Sequence, residues 1–125
     1  MTNQKIGNIG EKYAEKFLAS QNCRIIERNF RCRHGEIELI VFDYPSREIA
    51  FVEVKARTND RFGEPQDSVN WVKKQKILKT ALYFLNSSRI NYSLSWRVDV
   101  IAVKLNKQEK LVEINHFKNI FDGGS

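Results

Sequence analysis

Cys23 and Cys32 are the only cysteines in this 125-residue chain, and they form no Cys-x-x-Cys and have no clustered histidine beside them. Zinc-site spacing is therefore missing, and the pair reads as two reduced thiols packed in or near a core. Histidine is equally scarce. His34 sits beside a glycine in a turn and His116 stands alone, so no Ser-His-Asp arrangement can be assembled. A glycine-rich phosphate loop is missing as well, because Gly7-x-x-Gly10 is too short and no Lys-Ser/Thr follows it. No apolar run approaches the roughly 20 residues of a membrane span, and Met1-Thr2-Asn3-Gln4-Lys5 lacks the apolar stretch of a signal peptide. The expectation is a cytoplasmic protein without a membrane partner. Internal repeats, low-complexity tracts and linkers are also missing. Without a helix-turn-helix or RNP-like signature, sequence-specific recognition of nucleic acid has no support.

What is present fits one folded domain spanning residues 1–125. Hydrophobic residues make up 42% and charged residues 29%, ordinary values for a soluble globular protein. Lysine and arginine total 21 against 15 acidic residues, for a net charge of +6 and a pI near 9.4. That balance is an argument about polyanionic partners and none about fold.

Apolar residues at Ile6, Ile9, Tyr13, Ala14, Phe17 and Leu18 mark a helical stripe. Gly7 and Gly10 interrupt its start at a cost of about 1 kcal/mol each relative to alanine, which points to close approach of another backbone. Arg24 to Arg33 reads as a first strand, and His34-Gly35 as a turn. Thr58 to Asp67 is loop-like, and Asp67 or Ser68 can cap a helix from about Val69 to Leu85. Its inward set is Val69, Val72, Ile77, Ala81, Phe84 and Leu85. Ser95 to Leu105 is a strand whose mostly apolar centre suits burial on both faces. Asn106-Lys107-Gln108 turns it into a last strand, Lys110 to Ile114, before a frayed end at Phe121 to Ser125. The order is α-β-β-β-α-β-β, an α/β domain with helices flanking a central mixed sheet.

Two segments carry the chemistry. Gly35-Glu36-Ile37-Glu38-Leu39-Ile40 and Phe51-Val52-Glu53-Val54-Lys55 both read as strands, joined through Asp43-Tyr44-Pro45-Ser46-Arg47-Glu48 as a hairpin. Symmetry about Pro45 and Ser46 sets Glu38 opposite Glu53 and Glu36 opposite Lys55. Opposed residues have Cβ atoms about 4.5–5.5 Å apart. Two carboxylates that close need a proton, a cation or a metal between them. Lys55, two residues from Glu53, shares its strand face. These are the ingredients of a divalent-metal phosphodiesterase site. The competing reading is a solvent-facing sheet surface with a Glu36–Lys55 ion pair and Glu38 pointing into water.

The Gly-x-x-Gly-Glu on the first helix, Asn-Phe-Arg, Gly-Glu-Ile-Glu-Leu-Ile, Phe-Val-Glu-Val-Lys, the lysine-bearing helix and the late Arg-x-Asp strand together resemble the YraN-like proteins. These are small bacterial proteins with the restriction-endonuclease-like fold. The resemblance runs from about Ile6 to the last strand. It implies that Glu38 and Glu53-Val54-Lys55 form a PD-(D/E)xK signature, that Glu11 joins Glu38 and Glu53 around Mg²⁺ or Mn²⁺, and that Lys73 lies near the site. Relatives usually carry Asp where this chain has Glu38. The extra methylene moves the carboxylate outward by about one bond length, which a displaced metal absorbs or which silences the site.

The implied activity is metal-dependent endonuclease cleavage of DNA phosphodiester bonds, with branched or damaged DNA among the substrates and a homodimer as one arrangement. A nucleic-acid-binding protein that keeps the fold without turnover is the alternative. Phosphate neutralisation by Lys and Arg supplies most non-specific affinity, and the candidates for it are Lys73, Lys76, Arg31, Arg33 and Arg97. Arg97 is open between phosphate contact and surface, whereas Asp99, on its face of the strand, reads as half of a structural ion pair. Trp71 and Trp96 could stack on bases, but core or boundary packing is the expectation for both.

Overall fold

A computed structural model describes residues 3–58, 71–87 and 94–121. Its elements are helix α1 (Asn3–Ser20), strands β1 (Cys23–Cys32), β2 (Gly35–Asp43) and β3 (Glu48–Arg57), helix α2 (Trp71–Ser87), and strands β4 (Ser95–Leu105) and β5 (Leu111–Phe117). The order expected from the sequence is the order found. All five strands join one sheet, ordered as in sequence. The sheet is mixed: β3 and β4 run parallel, and the other three pairs are antiparallel. Parallel neighbours need a crossover connection, and α2 lies within it.

Helices cover both faces, which explains why β3 and β4 are apolar on both sides. On one face, Ala14 and Leu18 of α1 pack on Leu39, Val41, Ala50, Val52, Val54, Ile101 and Val103. On the other, Ile77, Ala81, Phe84 and Leu85 of α2 pack on Ile40, Ile49, Phe51 and Val98. Alternate residues of β3 therefore serve opposite layers.

Glycine brings each helix close to the sheet at one point. A Cβ on Gly10 would lie 2.5 Å from Ala56 Cβ, so α1 touches β3 there; Gly7, by contrast, has nothing within 4 Å and marks no close approach. Gly35, at φ +150°, opens β2 beside α2, and a Cβ there would come within 3.1 Å of Thr80 Oγ1.

Beyond shifts of one or two residues at the ends of β1 and at the close of α2, two features differ from expectation. Strand β5 runs Leu111–Phe117 rather than Lys110 to Ile114. Lys110 belongs to the turn, because Asn106 Oδ1 accepts the N–H groups of Gln108 and Lys110, and pairing continues to Val100↔Phe117. Val72 does not face the core: it is 56% exposed, and Trp71 beside it 72%. Below the first turn of α2 lies Glu53 rather than an apolar side chain. The expected loop to Asp67, the Asp67 or Ser68 cap, Val69 and the end from Asp122 fall outside the described residues. No helix among the described residues is long and apolar enough to cross a membrane.

Candidate functional site where two strands part

The hairpin has the register that symmetry about Pro45 and Ser46 requires. Strands β2 and β3 pair from Asp43↔Glu48 to Leu39↔Val52, and there the ladder ends. One further step on the same register sets Glu38 opposite Glu53.

On its other side β2 pairs with β1 through Arg28↔Leu39 and then Phe30↔Ile37, leaving out Asn29 and Glu38. Asn29 is left-handed, with φ 52°. Leu39 belongs to the layer under α1, whereas Ile37 belongs to the layer under α2. Residues two apart in a regular strand share a face, so β2 changes face at Glu38. The Glu38 side chain thus belongs to neither apolar layer. It faces the gap where the strands diverge, and its carboxylate accepts the Val54 N–H.

Strand β3 stays regular through this region. Val52 and Val54 point to α1, so Glu53 and Lys55 point to the α2 side. Glu53 is only 6% exposed, and Lys73 Nζ of α2 lies 3.9 Å from its Oε2. Lys73 is also close enough to Lys55 for its charge to act on it. Glu53 and Lys73 border a groove of about 420 Å³ whose other walls are Gly35, Glu36, Val72, Lys76 and Ile77.

Burial pushes the Glu38 carboxyl up to about 8, helped by the charges of Glu53 and Glu11 and opposed by Lys55 and the Val54 N–H. Glu53 is also raised by burial, against the pull of Lys73, Lys55 and a hydrogen bond with Glu38. Of the two, Glu38 is the one pushed further toward its protonated form, in which it donates a hydrogen bond to Glu53. Burial and the neighbouring Lys73 lower the Lys55 ammonium. Two carboxylates this close together, beside two lysines, have the donor set for a hard divalent ion and a phosphate.

The remaining expected residues scatter. Glu11 on α1 is raised by burial and by Glu15 and Glu36, and its charge reaches Glu38. It does not complete a metal cage: among the described residues, no three His, Cys, Asp or Glu side chains converge to hold an ion. The Glu36–Lys55 pair does not form, because β2 and β3 have separated; Arg31 takes Glu36 instead, at 3.0 Å. Lys76 is exposed on the groove rim. Arg33 is exposed and donates to His34 Nε2 at 3.4 Å.

Arg97 is not a phosphate contact. It is 5% exposed and lies on the α1 face of β4, away from Glu53 and Lys55. Its Nε donates to Asp99, its Nη1 to Ser46 and Glu48, and its Nη2 to Asp43. His116, solitary in sequence, completes this knot with Nε2 2.8 Å from Asp99 Oδ2, and the Asn119 N–H donates to Asp99 as well. Burial raises the Asp43 carboxyl, but the hydrogen bonds from Arg97 and Ser46 outweigh it and hold the group below the ordinary aspartate range. Asp99 is thus structural, as expected. Trp96 packs edge-on against Phe51 at the core boundary, but Trp71 does not pack as expected.

Sequence reasoning passed over Asn29, whose backbone lets β1 follow the change of face in β2. The available signal was residue type, since asparagine enters the left-handed region more readily than most.

Fold and site together define an α/β domain of two helices and a mixed sheet, carrying a lysine-flanked carboxylate pair where two strands part. The chain belongs to UPF0102, the YraN family: the model of that family, described as an uncharacterised protein family, matches residues 10–103. Curated relatives match over nearly their whole length. A UPF0102 protein of Clostridium acetobutylicum is 44% identical over 122 residues, covering 95% of both chains. One from Caldanaerobacter subterraneus subsp. tengcongensis is 38% identical over 97% of this chain and 98% of its own. One from Clostridioides difficile is 40% identical over 97% of this chain and 100% of its own.

Proposed function

We propose that this protein is a metal-dependent nuclease that hydrolyses DNA phosphodiester bonds on a restriction-endonuclease-like fold. The observation that carries the reading is the buried Glu38–Glu53 pair, held at the split end of β2 and β3 with Lys55 and Lys73 against it. The element order and the parallel β3–β4 pair agree with such a fold.

Glu38 and Glu53 are the residues that would hold Mg²⁺ or Mn²⁺, with Glu11 adding negative charge from α1. A hard cation commonly uses one or two carboxylates and completes its shell with water and substrate phosphate, so two carboxylates suffice. A bound ion of this kind supplies Lewis-acid polarisation of a phosphate and acidifies its water. Lys55 offers a positive charge that orients the attacking water or stabilises developing negative charge. Lys73 steadies Glu53 and adds positive charge for the phosphate. Lys76 on the rim neutralises a neighbouring phosphate.

The test is cleavage of linear, single-stranded and four-way-junction DNA with Mg²⁺ or Mn²⁺, in the native protein and in Glu53→Ala and Lys55→Ala. Cleavage that both substitutions abolish, with folding and DNA binding intact, supports the reading. Binding without metal-dependent cleavage, unchanged by either substitution, replaces it with a nucleic-acid-binding domain carrying a silent motif.

A further inference from the structure

A second groove, of about 390 Å³, lies toward the hairpin end of β2 and shares no residue with the groove at Glu53. Arg24 and Ile26 of β1, Phe42 of β2, Tyr44 of the turn, Ile49 of β3 and Leu94 wall it. Arg24 lies directly opposite Phe42 in the β1–β2 ladder. Phe42, Ile49 and Leu94 belong to the apolar layer beneath α2, so the groove is a place where that layer reaches the surface. Ile26 and Tyr44 stand half-exposed along it, at 38% and 48%. The Tyr44 ring is set edge-on against Phe42, 4.9 Å between centroids. Exposed apolar side chains gathered in one concave place mark interaction rather than packing.

The charge at this groove limits what can cover it. Arg24 is exposed and is the one charged side chain in its wall. Among the described residues no carboxylate forms an ion pair with it. The complementary group is therefore a bulky apolar side chain with a carboxylate next to it. A nucleic acid fits less well, because it needs a row of cations for its phosphates and aromatic faces for its bases. Here there is one cation, and most of the wall is aliphatic. A small ligand wants most of its surface covered, which lips as open as Ile26 and Tyr44 do not provide. An anchor residue of a larger partner needs only its own side chain to be seated.

We propose that this groove docks an acidic segment of a partner protein. One bulky apolar side chain of the segment seats against Ile26, Phe42, Tyr44 and Leu94, and a carboxylate beside it pairs with Arg24. The surface uses none of the residues around the carboxylate pair, so the proposal does not depend on the nuclease reading, and a bound partner leaves the groove at Glu53 open.

The probe is a library of random peptides displayed on phage, panned on the native chain. Enriched peptides are synthesised with a fluorescent label, and their affinity is measured by anisotropy for the native chain, Arg24→Glu and Ile26→Asn. Enrichment of a large apolar residue adjoining Asp or Glu is expected. Arg24→Glu sets like charges together and is expected to weaken binding by about tenfold or more, with thermal unfolding unchanged. The same peptides carrying Lys in place of the acid should then bind Arg24→Glu better than they bind the native chain, which a merely structural role for Arg24 would not produce. Ile26→Asn should weaken both forms of the peptide alike; if that variant unfolds, the charge exchange at Arg24 decides alone. No enrichment, enriched peptides without an acid, or affinity indifferent to Arg24→Glu overturns the proposal. Displacement of the peptides by a short thymidine oligonucleotide also overturns it, in favour of nucleic acid at this groove.

Discussion

Substituting Gly10 by alanine tests the placement of α1 and, through it, the geometry of the site. The new Cβ would stand 2.5 Å from Ala56 Cβ, 3.7 Å from Ala56 Cα and 3.8 Å from Val54 Cγ1. Carbon atoms rest about 3.5–4.0 Å apart, so the helix must retreat by about 1 Å. Overpacking of this kind costs about 1–3 kcal/mol, offset by about 1 kcal/mol of helix propensity. Gly7→Ala is the internal control, because open space around Gly7 leaves the propensity term alone. Urea denaturation is expected to show Gly7→Ala more stable than the native chain by up to about 1 kcal/mol and Gly10→Ala less stable than Gly7→Ala by about 1–3 kcal/mol. Ala56→Gly added to Gly10→Ala should return part of the loss. Gly10 precedes Glu11 and Ala56 follows Lys55, so the retreat separates α1 from the carboxylate pair. A misplacement of about 1 Å can cost about a hundredfold in rate, so the proposed cleavage should fall toward that limit in folded Gly10→Ala. Equal stabilisation by the two alanines would refute the contact.

Two further outcomes follow from the charges. The folded-state Glu38 carboxyl lies near 8 against an ordinary 4.5, so between those values the native state keeps a proton that the unfolded chain has lost. Stability therefore falls as pH rises from about 4.5 to about 8 and levels off above. Glu38→Gln should flatten that slope in urea melts run across the range, and an unaltered slope would sink the assignment. Arg97→Ala leaves Asp43 and Asp99 buried without their cation, at a cost of about 3–5 kcal/mol. A denaturation midpoint unchanged by Arg97→Ala, with DNA affinity lost, would return Arg97 to the phosphate-binding set.

The hairpin was legible because its rules are local and discrete. Turn residues sit between two alternating segments, and a period of two fixes which side chains meet once the turn is centred. The Glu38–Glu53 pairing came from that arithmetic. The face change at Glu38 was not legible, since Ile37-Glu38-Leu39-Ile40 reads as uninterrupted strand and the matching left-handed residue, Asn29, lies on the neighbouring strand. Arg97 escaped for another reason. Its acceptors come from the hairpin turn and from β4 itself, and nothing in the local pattern of β4 announces that they converge. Trp71 and Val72 fell to the assumption that apolar residues at helical spacing face a core. That assumption fails where the sheet beneath offers a carboxylate.

The hairpin turn and the knot around Arg97 bear on how this chain can change in length. Asp43, Ser46 and Glu48 flank or form the turn, and all three bind Arg97. One residue inserted between Asp43 and Glu48 would pull these acceptors out of step. It would also slide β3 by one place, and a one-residue slip sends every side chain of a strand to the opposite face. Val52 and Val54 would then face the groove, while Glu53 and Lys55 would be driven into the apolar layer beneath α1. The six residues from Asp43 to Glu48 act as a ruler for the site, and lineages free to lengthen their loops must do so elsewhere.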